Sequence, residues 1–421
     1  MVADLTSSPF HGEEDQPQAG GGGAPRNAAL VEQEAPRHQP LAGLPPRAGE
    51  DWFSPRNCPR LIVKVGSALL VAPDGQARRE WLASLVDDIA ERVANGQQIV
   101  IVSSGAIALG ARRLGLAKGG RASLEDAQAA AATGQIALSS IWAELLGRHG
   151  LTAAQLLVTL DDLEDRRRYL NVSATLGRLL TLGVVPVVNE NDSVATEEIR
   201  FGDNDRLAAR VGAAARANGV VLLSDIDGLY DSNPHSNPGA MLIPHVAQID
   251  AAIMGMADAK SSSGMGSGGM VSKVEAARIA TTAGANLAIA TGRIDHPLAR
   301  FGATGHGTVF ATAGNAPARK AWLSGGLTDR GAIRIDAGAA KALATGRSLL
   351  PAGAIGVEGD FVRGDLIRIV DADNRTIARG LVEYDAGEVA RIVGRRSDEL
   401  PDLLGYAPRS ALVHRNHMAL L

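Results

Sequence analysis

The sequence has little cysteine, no membrane-length apolar run and no large excess of charge of either sign. Its single cysteine, Cys58, excludes an internal disulfide and a cysteine-rich zinc site. With 42 basic and 46 acidic residues the net charge is −4, so no broad field attracts nucleic acid or anionic lipid. The sequence contains no run of about 18 apolar residues, the length that a membrane-spanning helix needs. These absences predict a soluble cytoplasmic protein.

What the sequence does contain is a large aliphatic fraction. Apolar residues make up 45% of the chain but aromatic residues only 3%, so the core should consist mainly of Ala, Val, Leu and Ile. A chain of 421 residues is too long for one ordinary domain, which predicts two folded units. Nine histidines are scattered without an HExxH motif, so we predict no metal-ligating residues.

Residues 1–57 are predicted to form a disordered N-terminal extension. They include AGGGGAPR and LAGLPPRAGE and have almost no apolar periodicity, so burial could not offset the entropy lost on ordering them. Acidic residues such as Glu13, Glu14 and Asp15 argue against a transit peptide, and no hydrophobic signal core follows Met1. The sequence gives no role for this extension.

From Arg60 onwards, continuous runs of Val, Ile and Leu alternate with helical stretches. Such runs, bounded by turns, are typical of parallel strands that are covered on both faces. We therefore predict an α/β fold over residues 58–318, with an open, mostly parallel sheet sandwiched by helices. The predicted strands lie in RLIVKV, QQIVIVSS, AAQLLVTL, LGVVPVVNE, NGVVLLSD and ANLAIATG.

The pattern of apolar and polar residues changes near residue 320. Beyond Gly326 the chain shows short alternating segments such as GAIRID, SLLPAGAIGVEGDF and RTIARGLVEY, separated by Gly-Asp turns. This pattern indicates a compact, mainly β unit, which we place at residues 326–417.

Several predicted strands run directly into polar or glycine residues. These are Lys64–Ser67, Ser103–Gly105, Asn189–Asp192 and Ser224–Asp225. In open α/β sheets, ligands bind outside the carboxyl ends of the strands. Four polar clusters at four such ends therefore predict one site assembled from distant parts of the sequence.

The segment GMGSGGMVSK, residues 264–273, is rich in glycine and ends on a lysine. It is not preceded by a strand, so a dinucleotide fingerprint is disfavoured. One interpretation is a disordered surface loop. The other is a loop whose backbone N–H groups surround phosphate oxygens, with Lys273 adding its charge at a helix N-terminus. The second interpretation predicts a triphosphate ligand.

Two further signals leave alternatives open. Lys64 interrupts an apolar strand, which suits either an edge position facing water or a buried lysine that reaches an anionic ligand. The runs NENDSVAT and FGDNDRLAA are rich in Asn and Asp, which suits either turns and helix N-caps or a polar ligand site. Because both runs follow the same apolar strand, we favour the ligand site.

Taken in chain order, these motifs resemble those of the bacterial glutamate 5-kinases, members of the amino acid kinase superfamily. The C-terminal unit is similar to the PUA domain that those enzymes carry. The resemblance spans roughly residues 60–417 and depends on VKVGS, IVSSGAIALG, LLVTLDDLEDRRRYLN, VVPVVNENDSVAT, FGDNDRLAA, LLSDIDGLYDSNP and GMGSGGMVSK. It implies an amino acid kinase fold and transfer of the ATP γ-phosphoryl group, with Mg²⁺, to the side-chain carboxylate of L-glutamate, the first step of proline biosynthesis.

The resemblance also implies roles for individual residues. Lys64 and Lys273 would contact the phosphates and Asp205 would hold both lysines in place. The residues implied to bind glutamate are Ser104, Asn189, Asp192 and Asn204. The residues implied to bind ATP are Lys64, Ser224, Asp225, Ser267, Gly268, Gly269, Met270, Val271, Ser272 and Lys273.

Other activities and partners stay open at this point. Another kinase of the amino acid kinase superfamily, acting on carbamate, N-acetylglutamate, aspartate or UMP, would have the same phosphate-binding residues. RNA binding through the PUA-like unit is disfavoured, because residues 326–421 hold 13 basic and 13 acidic residues. The resemblance further suggests inhibition by proline, handover of a labile product to glutamate-5-semialdehyde dehydrogenase, and a homo-oligomer.

Overall fold

A computed structural model describes residues 52–72, 74–194, 204–234, 236–258, 269–312, 329–406 and 408–421. Most of the predicted extension, residues 1–51, lies outside these ranges, as does the predicted boundary near residue 320. Its last residues are described, and Phe53 is buried in the core beside Cys58. Within the described ranges, no helix combines the length and apolarity that crossing a bilayer requires.

In the described part of the chain, eight strands form the first sheet, in the order β3-β4-β2-β1-β5-β7-β8-β6. All neighbouring strands pair in parallel except β7 and β8. This confirms the predicted, mostly parallel sheet. The strands are β1 (Arg60–Val65), β2 (Gln98–Ser103), β3 (Ala153–Val158), β4 (Val185–Glu190), β5 (Gly219–Ser224), β6 (His245–Val246), β7 (Asn286–Thr291) and β8 (Thr308–Phe310).

Helices connect these strands and cover the sheet. They are α1 (Ser67–Leu70), α2 (Arg79–Ala94), α3 (Ala106–Leu114), α4 (Leu124–Gly147), α5 (Leu160–Glu164), α6 (Arg166–Thr181), α7 (Asn204–Ala215), α8 (Ala251–Asp258), α9 (Met270–Thr282) and α10 (Pro297–Thr304). Helix α2 ends at Ala94, and Gly96 just beyond it adopts φ +84°, a conformation that favours glycine.

The central strands are apolar at nearly every position because both faces of the sheet are covered. In β1, Leu61 and Val63 point into one hydrophobic cluster, whereas Ile62 points into the other. The first cluster contains buried side chains of α2, α4 and α10, and the second contains those of α6, α7 and α9. Alternate side chains of a strand face opposite sides, so a two-sided core requires a continuous apolar run.

Helices α3 and α4 approach each other unusually closely. A Cβ atom added to Gly110 would lie 1.8 Å from the carbonyl oxygen of Ala130, and one added to Gly134 would lie 1.8 Å from that of Ala106. Both glycines are therefore required by backbone-to-backbone packing. This contact fixes α4 over the carboxyl end of β2, from which α3 departs.

Within residues 329–406 and 408–421, the second unit is built on a five-stranded sheet, in the order β10-β9-β11-β12-β13. Its strands are β9 (Gly331–Ile335), β10 (Ala354–Gly359), β11 (Leu366–Val370), β12 (Thr376–Val382) and β13 (Val413–Leu420). Its helices are α11 (Ala337–Ala344), α12 (Ala386–Ile392) and α13 (Leu400–Leu404). A separate hydrophobic cluster fills this unit. The mainly β character predicted from the sequence is confirmed.

Helix α6 joins the two units. Its Leu170 packs with Leu366 and Leu381 of the second sheet. The Arg167 side chain donates to the carbonyl oxygen of Arg363 at 3.0 Å, and the Arg363 guanidinium donates to Asn171 Oδ1 at 2.8 Å. Apolar contact and charged hydrogen bonds thus hold the β unit against the start of α6.

The contact between α3 and α4 generates a stability prediction. Gly134→Ala forces the two backbones apart, and we expect it to lower the free energy of unfolding by about 1–3 kcal/mol, the usual effect of overpacking. Gly147→Ala is the matched control, because Gly147 lies in the same helix with no atom near its missing Cβ. Chemical denaturation of both variants measures the difference, and equal stabilities would contradict the packing argument.

Candidate active site

Four neighbouring strands, β4, β2, β1 and β5, end in the polar clusters that were predicted from the sequence to form one site. Parallel strands end at the same edge of a sheet, so these clusters lie side by side there. Helix α7 begins at the same edge with Asn204 and Asp205, and α9 brings Lys273 to it.

The centre of this edge is a carboxylate between two lysines. Lys64 Nζ lies 2.6 Å from Asp205 Oδ1, and Lys273 Nζ lies 2.9 Å from Asp205 Oδ2. Asp205 is 1% exposed, and the lysines are 8% and 6% exposed. A buried charge is costly unless it is paired, so these three groups depend on one another. The cluster carries a net charge of +1.

The backbone explains why Lys64 is buried. Strand β1 lies in the interior of the sheet, where Lys64 pairs with Val102 of β2 on one side and Leu222 of β5 on the other. The alternative of an edge-strand lysine facing water is therefore excluded. Gly66 follows two residues later, and a Cβ added there would lie 3.7 Å from Lys64 Nζ, an ordinary van der Waals contact.

The titration of Asp205 reflects its two partners. Burial raises the pKa of this carboxyl group, but the nearby Lys64 and Lys273 ammonium groups outweigh burial and lower the pKa to about 2. Asp205 is therefore ionised at every physiological pH, and it holds both lysines by charge-assisted hydrogen bonds.

A second contact connects α7 with β2. Asn204 Nδ2 donates to Ser104 Oγ at 2.6 Å, across 100 residues of sequence. Asn204 Oδ1 is buried and has no hydrogen-bond partner among the described residues. The alternative in which Asn204 serves only as a turn or cap residue does not account for this contact.

Asn189 and Asp192 lie on the other side of β2, at the end of β4. Asn189 Nδ2 donates to Gln135 Oε1 of α4 at 2.7 Å, and Asn189 Oδ1 is buried without a partner in the described part of the chain. Asp192 begins a short 3₁₀ turn, Asp192–Val194. Burial raises the pKa of Asp192 to about 6, although the charge of Arg121 opposes that rise.

Ser224 is the last residue of β5 and Asp225 follows it, and β5 pairs with β1, the strand that carries Lys64. Ser224 Oγ donates to Asp225 Oδ1 at 3.1 Å, and Arg293 Nε donates to the carbonyl oxygen of Asp225 at 2.7 Å. Both residues thus lie at the carboxyl edge, as their motif predicted.

Part of the glycine segment is described as the start of α9. Gly269 is the N-cap and Met270, Val271, Ser272 and Lys273 form the first turn. The first N–H groups of a helix have no partner within it and favour anions. The predicted residues Ser267 and Gly268 lie outside the described ranges. The sequence placed Lys273 at the very start of its helix, whereas the helix begins three residues earlier.

Sequence reasoning missed Gln135 and Arg121. Gln135 lies in the middle of a 24-residue helix with no local motif, and only the packing of α4 brings it to Asn189. It also missed a cluster at Asp227, which accepts from Tyr230 at 3.0 Å and lies 2.8 Å from His306 Nε2. Nothing in the spacing of residues 227 and 306 predicts that contact.

The described residues contain no group of three or more His, Cys, Asp or Glu side chains arranged to hold a metal ion. Asp205, the most buried acid of the site, already has both oxygens on lysines.

Two known domain types match this chain. Residues 59–291 match the amino acid kinase family, and residues 331–404 match the PUA domain. The chain belongs to the amino acid kinase family. The two matches agree with the two sheets, so the predicted amino acid kinase fold followed by a PUA-like unit is confirmed.

Curated relatives place the chain more narrowly within that family. A glutamate 5-kinase of Sphingopyxis alaskensis is 68% identical over 369 residues, which cover 88% of this chain and 99% of the relative. A glutamate 5-kinase of Zymomonas mobilis is 56% identical over the full length of both chains, and one of Novosphingobium aromaticivorans is 64% identical over 86% and 96%. The predicted relationship to the glutamate 5-kinases is therefore confirmed.

The lysine–aspartate–lysine cluster generates a prediction about stability. Asp205→Asn leaves two buried lysines without their counter-ion, and we expect it to lower the free energy of unfolding by about 3–5 kcal/mol at pH 7. Asp398→Asn is the control, because its partner Arg396 and Asp398 itself are exposed to solvent, so its effect should stay below about 1 kcal/mol.

The pH dependence of that difference follows from the lowered pKa. The Asp205 contribution is fully present above the ordinary carboxyl pKa of 3.8 and is lost as pH falls towards about 2. Denaturant titrations between pH 7 and pH 2.5 should show the wild type approaching the Asp205→Asn variant. A difference that does not change with pH would contradict the ion-pair explanation.

Proposed function

We propose that this chain is a glutamate 5-kinase, which transfers the γ-phosphoryl group of ATP to the side-chain carboxylate of L-glutamate and forms L-glutamyl 5-phosphate, the first step of proline biosynthesis. The observation that carries the proposal is the pair of buried lysines held on Asp205 at the carboxyl edge of the sheet. The identity to glutamate 5-kinases over most of the chain supports the choice of substrate.

The central obstacle in this reaction is electrostatic repulsion. A glutamate carboxylate must approach a triphosphate, and two like charges at 4 Å cost on the order of 4 kcal/mol at an effective dielectric of 20. Two ammonium groups in a water-poor site offset that repulsion and stabilise the charge that spreads over the transferring phosphoryl group. Lys64 and Lys273 would act in this way, with Asp205 positioning both.

The acceptor needs no general base. A glutamate side chain has an ordinary pKa of about 4.3, so the carboxylate is already ionised at neutral pH. Catalysis then depends on alignment and on charge stabilisation rather than on proton removal. This fits a site whose central carboxylate, Asp205, is already paired with two lysines and is surrounded by amides and hydroxyls.

The residues around β2 and β4 would hold glutamate. Asp192 can accept from the α-ammonium group, and the partnerless Oδ1 atoms of Asn189 and Asn204 offer further acceptors. Ser104 would be positioned by its hydrogen bond with Asn204. These atoms come from two neighbouring strands and one helix, which suits a small ligand with several polar groups.

ATP would lie on the opposite side of Lys64, towards β5 and α9. Ser224 and Asp225 would line its site, and the residues from Ser267 to Lys273 would surround the terminal phosphates with backbone N–H groups. The described residues offer no acidic cage for a metal. We therefore propose that Mg²⁺ arrives on the phosphates of ATP, as is usual for this ion.

Other features stay predictions. They are the domain limits 1–57, 58–318 and 326–417, inhibition by proline, a homo-oligomer and a cytoplasmic location. An acyl phosphate is labile in water, which favours rapid handover to glutamate-5-semialdehyde dehydrogenase.

The proposed activity can be tested through ADP formation by the full chain with ATP and Mg²⁺. We expect ADP release to depend on L-glutamate and to be much slower with carbamate, N-acetylglutamate, aspartate or UMP. Hydroxylamine should trap the product as a hydroxamate, because an acyl phosphate reacts with it. Lys273→Ala is the control for contaminating ATPases and should lower kcat at least about 100-fold. Preference for another acceptor, or glutamate-independent ADP release, would contradict the proposal.

The raised pKa of Asp192 makes a separate prediction. Protonation near pH 6 removes the charge that holds the ammonium group, so the KM for glutamate should rise as pH falls from 7.5 to 5. Asp192→Asn should have a high glutamate KM that varies less with pH, whereas its KM for ATP should be little changed. Asp402→Asn, at an exposed position in α13, is the control. An unchanged glutamate KM in Asp192→Asn would remove this residue from the site.

A further inference from the structure

A cavity of about 230 Å³ lies between the two units, away from the lysine cluster. Helices α7 and α9 of the first unit form one wall, and Asn416 and His417 of β13 in the second unit form another. Leu163 and Tyr169, from α5 and α6, also line it. Of the residues implied to bind glutamate or ATP, none that the structure describes lines this cavity.

The polar lining of the cavity is cationic. Among the described residues, three arginines line it, Arg210, Arg216 and Arg278, and no acidic residue does. Arg210 and Arg278 each have an acidic partner, Glu164 and Glu275, at 2.7 Å and 2.8 Å, but these partners lie outside the lining. Arginine side chains present several donors in a planar fork, which suits carboxylate and phosphate groups.

Two buried polar atoms at this cavity have no hydrogen-bond partner within the described residues. The His417 side chain is 9% exposed, and its Nε2 has no hydrogen-bond partner there, although Nδ1 lies 3.4 Å from Glu383. Arg210 Nε is also buried without a partner. Buried polar atoms are normally satisfied, so a group in this position needs an explanation.

The backbone at Arg216 supports the same conclusion. Arg216 directly follows α7 and adopts φ +57°, a left-handed conformation that is uncommon for residues other than glycine, Asn and Asp. Such strained positions occur disproportionately at ligand sites. Here the conformation places an arginine, rather than the usual glycine, at the end of a helix and at the wall of the cavity.

The rest of the lining is apolar. Leu163, Ile279 and Ala283 contribute carbon surface, and the Tyr169 and His417 rings meet edge-on with centroids 6.4 Å apart. An apolar cavity of about 150 Å³ is known to hold benzene. A cavity of about 230 Å³ therefore has room for a ring of that size together with one anionic group.

We infer that this cavity is a binding site for a small molecule with one carboxylate or phosphate group and an apolar body. The arginines bind the anionic group, His417 Nε2 makes an additional hydrogen bond, and the carbon surface holds the body. The inference does not depend on the proposed kinase activity.

The position of the cavity connects it to the active site. Arg210 follows Asp205 by five residues in α7, and Arg278 follows Lys273 by five residues in α9. At 1.5 Å per residue, each arginine lies about 7.5 Å along its helix from the lysine–aspartate cluster. A ligand in the cavity therefore binds to the same two helices that carry Asp205 and Lys273, and ties them to β13.

Binding to the full chain can be measured calorimetrically with phenyl phosphate, benzoate and the neutral analogue benzyl alcohol. We expect at least one of the two anions to bind and benzyl alcohol to bind at least about 10-fold more weakly. Arg216→Met should weaken anion binding at least about 10-fold, the effect of losing one charge-assisted hydrogen bond. Ala283→Leu should weaken it similarly by filling the cavity without changing its charge. Arg391→Met, at an exposed position on α12, is the matched control and should bind like the wild type.

Several results would overturn the inference. They are no binding of either anion, equal binding of benzyl alcohol, or anion binding unchanged in both Arg216→Met and Ala283→Leu. Anion binding that is lost only in Lys273→Ala would assign the anion to the phosphate site instead. An RNA oligonucleotide that binds in an Arg216-dependent way, while neither small anion binds, would replace the small ligand with a nucleic acid. Thermal melting tests whether each variant is folded. If one of the two cavity variants is unfolded, the other alone suffices for the comparison.

Discussion

The contact of one buried carboxylate with two ammonium groups is the interaction on which the site depends. Asp205 is ionised because Lys64 and Lys273 surround it, and the lysines can stay charged in a buried place because Asp205 is there. The three groups come from β1, α7 and α9, so the ion pairs also fix a strand and two helices to one another. The three groups keep a net charge of +1, which offsets the repulsion between two anionic substrates.

The parallel sheet determines which chemistry can surround that cluster. Strand β1 lies between β2 and β5, so groups from β2 and β4 extend to one side of Lys64 and groups from β5 to the other. This arrangement separates an acceptor region rich in amides from a region suited to phosphate. Helices α7 and α9 extend from the cluster to the arginine-lined cavity beside β13, so the active site and the second unit share two rigid elements.

Much of this architecture could be predicted from the sequence, because short aliphatic runs bounded by turns favour buried strands, and the carboxyl ends of parallel strands share one edge. The positions of Lys64, Asn189 and Ser224 followed from that rule. The partners contributed by packing could not be predicted in the same way. Gln135 meets Asn189 only because Gly110 and Gly134 let two helices touch, and His417 meets Tyr169 only because the second unit packs against α6. Such contacts join residues far apart in the chain and leave no local pattern.

The central claim is that Lys64 and Lys273 act as one unit on one phosphoryl group. A double-mutant cycle on the single-turnover rate of phosphoryl transfer tests it most directly, with Lys64→Met, Lys273→Met and the double variant. We expect strong non-additivity, with the double variant little slower than the slower single variant. Rate losses that simply multiply, so that their free energies add within about 0.5 kcal/mol, would show that the lysines act independently and would contradict the account.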